Sequence, residues 1–422
     1  MALLGTRFRR RVRRERVWVA HLLRDGLRVS RCVVYPARGS AACVPAFASE
    51  RMPDLHAAFR AVAQAIGRFS FRARPFLLFV LDPGLATSVY GSVTVPRDRP
   101  AAPITGADVE NSIAQGMWKL FDRERSRAAR KMEVSELDLV LSDVRVRDLR
   151  LDGHRVFDPE GFTARSIGVE CMGTFLPRPL LDAFHAVFSK ERSAFFGEGG
   201  VLMARMLAAG AADRPSLLIQ AFGSVSDVFL ATRTSCAYDH TVPWGTQDVA
   251  RAVAEAFTVS GAVARAMLVR AAHDALSPHV LRRLEQALAL ACEPLVSSIA
   301  GTVERHGVES VRLAPFAGFF GAHESVTQSV PLPDSIFRIR FRTRTGTRVQ
   351  FEQAQAVSPH GDTPPQGRAA EQQGSLWDLA AHAAFSHFFF SPADDTLNRA
   401  ARRRARWLTS AVPSDVGARS TL

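Results

Sequence analysis

The 422 residues are enough for two or three compact units, and 47% apolar with 23% charged residues exclude a globally disordered chain. The net charge of +13 comes almost wholly from arginine, because Lys119, Lys131 and Lys190 are the only lysines, and it favours acidic partners without specifying a fold. No run approaches the roughly 18–20 uncharged apolar residues of a spanning helix, and the arginine-rich start lacks the apolar segment of a secretory signal. Five scattered cysteines (Cys32, Cys43, Cys171, Cys236 and Cys292) lack zinc or redox spacing, so buried, reduced thiols in a cytoplasmic protein are expected.

Residues 1–16 hold seven arginines against Glu15 alone, a solvated basic arm. Two strand-like runs follow, Val17–Leu23 and Leu27–Tyr35, joined by Asp25-Gly26, where glycine accepts the positive φ of a tight hairpin. Pro53–Phe69 has helical spacing, and Phe76–Leu81 is a continuous apolar run stopped by Asp82-Pro83-Gly84, as in a buried strand of an α/β sheet. Thr105 caps a helix over Ala107–Arg130, and strands are predicted at Leu137–Leu141, Val144–Leu151 and Ile167–Phe175.

Beyond residue 179 the pattern alternates again. Leu180–Phe188 and Val201–Ala208 read as helices, and Ser216–Gln220 with Val228–Thr232 as a hairpin. Four helical stretches span about 246–306, and Glu309–Leu313 is a short strand. Ile336–Arg344 alternates Phe337, Ile339 and Phe341 with four arginines, either one exposed strand face or an anionic docking surface. Residues 356–374 form a loop, Leu376–Phe389 a last apolar helix, and the tail is basic. His382 and His387 share no helical face well and read as one packed and one exposed histidine. Gly197-Glu198-Gly199-Gly200 reads as a helix start, and no zincin, nucleophile-elbow or Walker motif is present.

The stretch Asp143–Phe175, with Asp152, Gly153, Pro159 and Gly161 preceded by Ile104-Thr105 and Asp108-Val109-Glu110, is similar to the inserted domain of the FtsA and PilM branch of the actin-like ATPase superfamily. The resemblance implies an α/β, ribonuclease H-like, two-lobed actin fold. Its divisions would be a basic arm at 1–16, a first lobe at 17–102, an α+β insertion at 103–179, a second lobe at 180–392 and a basic tail at 393–422. Gln220–Asp227 resembles that family's Asp-Ile-Gly-Gly-x-Thr-Thr-Asp phosphate hairpin. Gly223 and Asp227 match, Ser226 replaces a threonine and Ser224 lies between them, but Gln220, Phe222 and Val225 replace an acid, a glycine and a hydroxyl. Glutamine brings no charge to a metal, and Phe222 sets a ring where phosphates would lie. Gly245 and Gly318 complete the degenerate nucleotide side.

The family's first phosphate loop, Asp-x-Gly-Thr, has only Leu4-Gly5-Thr6 as a remnant, and the first strand is expected to be missing. A non-catalytic scaffold without cofactor follows, linking membrane-associated division or pilus machinery to protein partners. An active ATPase using ATP and Mg²⁺, with its first loop upstream of Met1, and a basic nucleic-acid-binding protein remain the alternatives. In the tail, Leu397, Ala401 and Leu408 form a thin apolar stripe beside Trp407 and flanked by Arg402 and Arg403, either a solvated helix end or a peripheral contact with anionic lipid, as in FtsA.

Overall fold

A computed structural model describes residues 15–23, 26–35, 40–49, 54–68, 76–188, 194–202, 215–222, 224–231, 236–272, 275–308, 310–315, 340–342, 348–353 and 376–389. The basic arm up to residue 14, the loop at 356–374, Gly223, Gly318 and the tail stripe at 397–408 lie outside them, and within Ile336–Arg344 only 340–342 are described.

The first sheet contains β1 (Glu15–Leu23), β2 (Gly26–Tyr35), β3 (Ser40–Ser49), β4 (Phe76–Leu81) and β9 (Ala194–Glu198), in the order β3-β2-β1-β4-β9. Strands β1, β2 and β3 form antiparallel hairpins, whereas β4 runs parallel to β1 and β9 parallel to β4. The second sheet contains β10 (Ser216–Ala221), β11 (Ser226–Ala231), β12 (Cys236–Val242), β13 (Ser310–Pro315), β14 (Arg340–Arg342) and β15 (Arg348–Gln353). Its order β12-β11-β10-β13-β15-β14 repeats the first five positions with the same strand directions before adding an antiparallel edge strand. This duplicated ribonuclease H-like order is the actin-like fold.

Strand β1 corrects the expectation of a missing first strand. It is the central strand of its sheet, hydrogen-bonded to β2 on one side and to β4 on the other. Strand β3 escaped sequence reading because Pro45 interrupts it and alanines weaken it; Pro45 sits beside a register irregularity on an edge strand, where a lost donor is tolerated. It also changes the cysteine picture. Cys32 and Cys43 face each other across β2 and β3 and form a disulfide, while Cys171 and Cys292 are buried free thiols, pushed up to about 12 by burial.

The first sheet is covered on both faces, so its parallel strands are continuous apolar runs. Phe59 of α1 (Leu55–Gly67) and Phe184 of α3 (Arg178–Val187) pack edge-on against Phe79. On the other face α7 (Leu376–Phe389) buries Ala381, Ala384, Phe385 and Phe388 against Val17, Val19, Leu78, Val80 and Phe195. The boundary expected at 180 therefore moves: residues 178–198 and 376–389 build the first lobe, because the parallel strand β9 must close its sheet and α7 must cover its open face. Both His382 and His387 are buried, correcting the expectation of one exposed histidine.

Between β4 and α3 lies the inserted domain. Strands β5 (Thr87–Pro96), β6 (Leu139–Leu151), β7 (His154–Val156) and β8 (Ser166–Pro177) pair in the order β5-β8-β6-β7 beneath α2 (Gly106–Met132). Because β5 pairs along β8, the insertion begins near 87 rather than 103. The residues that carried the resemblance make one corner of this domain. Thr105 and Asp108 form a capping box, the Gly161 N–H donates to the Ile104 carbonyl, and the Asp152 carboxylate accepts the Arg165 and Ser166 N–H groups.

In the second lobe the four expected helical stretches are three: α4 (Thr246–Phe257), α5 (Gly261–Ala272) and α6 (Pro278–His306), which continues through Pro294. An 18-residue window of α6 has mean hydropathy 1.3, enough by length and composition to cross a membrane, contrary to the expectation from sequence. In the structure Leu284, Leu288, Cys292, Leu295, Ile299 and Val303 of α6 pack into the core of the lobe.

Candidate functional site

In open α/β sheets ligands bind beyond the carboxyl ends of the parallel strands. In the second lobe that position is the tip of the β10–β11 hairpin. Gln220 is buried and pairs with Asp227 across the ladder. Phe222 is 2% exposed; its N–H donates to the Val225 carbonyl and its own carbonyl accepts from the Thr246 N–H. The tip therefore rests on the start of α4. Gly245 there donates its N–H to the Asp248 carboxylate at 2.9 Å, so the helix start carries its own anion. Ser226 donates its hydroxyl to the Trp244 carbonyl at 2.8 Å, and Ser224 is exposed. Ser226 and the Phe222 backbone thus find their partners inside the protein. Of the expected site residues, Ser226, Asp227 and Gly245 come together in this corner.

Asp227 leads toward the first lobe. Its Oδ1 accepts the Thr241 hydroxyl at 2.6 Å, and Thr241 Oγ1 lies 2.7 Å from the Tyr238 hydroxyl. The Tyr238 ring carries the Lys131 ammonium 3.6 Å from its centroid. Lys131, near the end of α2, also donates to Thr87 Oγ1 at 2.6 Å and to Glu198 Oε1 at 3.0 Å. Glu198 ends β9 and accepts the Ser88 N–H through its other oxygen. Burial pushes the Glu198 carboxyl above the usual carboxylate range, and the Lys131 ammonium pulls it back. One of three lysines in an arginine-dominated chain therefore joins the inserted domain to both lobes.

Around this latch the lobes touch closely. Gly200, second of the helical residues after β9, abuts Phe229 of β11, so a Cβ at this position would overlap the Phe229 ring. The helix start expected at Gly197-Glu198-Gly199-Gly200 covers only its last two residues, which pack closely, because Gly197 and Glu198 end β9. In the first lobe only residues 24 and 25 separate β1 from β2, too few for a phosphate-cradling loop of the family's kind. His21, near the end of β1, is fully buried and lowered to about 3 by burial and by Arg28 beside it.

Sequence reasoning missed Lys131, Glu198, Tyr238 and a second cluster on the other face of β12. A register irregularity opposite Val228 and Phe229 makes Asp239 an extra residue, which turns Asp239 and His240 to one face and Tyr238 and Thr241 to the other. His240 Nδ1 lies 2.9 Å from Asp239 Oδ2, His240 Nε2 lies 3.2 Å from Ser298 Oγ on α6, and Thr302 donates to Asp239 at 2.7 Å. His240 and Thr302 hold the Asp239 carboxyl down at about 2. No sequence motif links residues 239 and 298; only the fold joins them. Among the described residues no cluster of metal-ligating side chains occurs.

The class that strand order defines is the actin-like ATPase fold. Among solved structures the chain is similar to one in a PilM-PilN type IV pilus biogenesis complex, with 12% identity over 87% of this chain and 97% of that one and a TM-score of 0.48. It is also similar to the ethanolamine utilization protein EutJ from Carboxydothermus hydrogenoformans, with 8% identity over 71% and 76% and a TM-score of 0.31. A ROK family glucokinase from Streptomyces griseus, in complex with glucose and AMPPNP, has 8% identity over 71% and 83% and a TM-score of 0.35. At these identities the likeness concerns fold alone. No protein-family model and no curated protein matches the chain.

Proposed function

We propose that this protein is a non-catalytic actin-fold scaffold that joins protein partners of a membrane-associated assembly, the role implied by its resemblance to the FtsA and PilM branch. The observation that carries the reading is the Lys131–Glu198 pair and its extension through Tyr238 to Asp227. Where a nucleotide kinase or ATPase keeps metal-binding acids and free backbone donors for a triphosphate, this chain sets its own ammonium against its acid and its own Asp248 on the helix start. The lobes are held together by side chains rather than by ligand. Type IV pilus biogenesis and cell division are the two settings the resemblance implies, with the chain at the cytoplasmic face. The alternative of an active ATPase lacking its first strand loses its motive, because β1 is in place.

Isothermal titration of the full chain with Mg-ATP tests the reading. No saturable heat is expected at millimolar nucleotide; a dissociation constant in the micromolar range overturns it. The tail at 394–422 is proposed as a peripheral lipid contact, and its removal is expected to abolish pelleting with anionic vesicles. Unchanged pelleting defeats that part alone.

A further inference from the structure

We propose that Ser298 is a reactive nucleophile, served by His240 as general base, which gives this protein a site for small activated esters on the far side of β12 from the latch. The three roles of a nucleophilic hydroxyl, a base and a group that orients the base are filled by Ser298, His240 and Asp239 at 3.2 and 2.9 Å. Thr302, one turn beyond Ser298 on α6, fixes the carboxylate by donating to it. An ionised Asp239 requires His240 to carry its proton on Nδ1, which leaves Nε2 as the acceptor facing Ser298. The arrangement is accessible: Ser298 is exposed, and the side chains of His240 and Asp239 retain 31% and 27% of their surface.

Two independent structural causes place these groups. The bulge at Asp239 brings sequence neighbours to one strand face, where a regular strand would separate them. The helical spacing of 298, 302 and 305 then aligns Ser298, Thr302 and Arg305 above them. The Arg305 charge is felt at Asp239 and is the nearby cation for an ester that carries negative charge. Backbone N–H groups around Ser298 are engaged in the helix ladder, and Pro294 contributes none, so no pair of backbone donors waits for an oxyanion. The expected chemistry is therefore slow and confined to donors with good leaving groups. Ser298 Oγ bonds to the acyl carbon or phosphorus, its proton passes to His240 Nε2, and the leaving group departs with the electron pair of the broken bond.

A biotin-tagged fluorophosphonate, which loses fluoride on attack, is the probe. Incubated with the full chain, it is expected to label Ser298, located by peptide mass spectrometry. Ser298→Ala is expected to remove the label without lowering the thermal midpoint, since alanine suits a helix better than serine. His240→Gln is expected to slow labelling by about a hundredfold, the lower end of what a positioned base supplies. Thr302→Val should slow it and Thr302→Ser should restore it, as a positioning hydroxyl requires. Ser298→Cys gives a second readout: iodoacetamide should alkylate it faster than it alkylates the same variant carrying His240→Gln. The proposal fails if the native chain labels no faster than the heat-unfolded chain, if the label lies elsewhere, or if His240→Gln leaves both rates unchanged.

Discussion

The two lobes repeat one strand order but finish their leading hairpins differently. In the first lobe two residues join β1 to β2, whereas in the second lobe the four residues 222–225 join β10 to β11 and lean on the start of α4. The first lobe keeps buried ionisable groups at its strand ends, His21, Asp82 and Glu198, and it borrows Lys131 from the insertion to neutralise one of them. In the second lobe β10 (SLLIQA) carries no ionisable side chain, and Asp227 at the start of β11 accepts the Thr241 hydroxyl. One topology thus supports two ways of finishing its strand ends, an internal salt bridge on one side and apolar packing with a self-capped helix on the other.

The largest expected effect comes from breaking the charged side. Lys131→Met leaves Glu198 buried without its cation and should lower stability by about 3 kcal/mol, with most of it regained by adding Glu198→Gln. Urea unfolding of the native chain and the two variants measures this, and an unchanged midpoint for the single variant would remove the latch from the account. Next is acid. His21 stays neutral in the folded chain down to about pH 3 but takes up a proton near 6.5 when unfolded. Its contribution is therefore complete above 6.5 and is lost as pH falls toward 3, by up to about 5 kcal/mol. Hydrogen exchange should show the first lobe opening before the second over that range, and His21→Gln should flatten the dependence.

Smaller effects sharpen the contrast. Gly200→Ala drives a Cβ into Phe229 and should cost about 2 kcal/mol by overpacking, relieved by adding Phe229→Leu. Thermal midpoints of the two variants decide it. The Asp239 carboxyl, at about 2 against an ordinary 3.8, adds stability above pH 3.8 that disappears as pH falls toward 2. Because it is partly exposed, Asp239→Asn should cost only about 1 kcal/mol at neutral pH. Urea midpoints of the native chain and Asp239→Asn should differ at pH 7 and converge at pH 2.5.

Local signals in the sequence located Phe76–Leu81 and Leu376–Phe389 at their observed bounds, because an apolar run or helical period between breakers is a local property. The β10–β11 hairpin was equally legible, as the apolar runs Ser216–Gln220 and Val228–Thr232. Sheet membership was not. Residues 194–198 and 376–389 belong to the first lobe by non-local pairing and packing, which no local pattern records. Strand β12 was missed, and with it both Tyr238 and His240, since the run CAYDHTV lacks the apolar alternation of a half-buried strand. Lys131 stood out only as one of three lysines, and the approach of β9 and β12 is what brings it to Glu198 and Tyr238.

The irregularity in β12 has a further consequence. Removing Asp239 would restore an unbroken ladder, with Tyr238 and Thr241 still turned toward the first lobe and His240 still turned toward α6. A single codon could therefore supply or withdraw the carboxylate without disturbing the joint between the halves. The two faces of this strand are free to evolve separately.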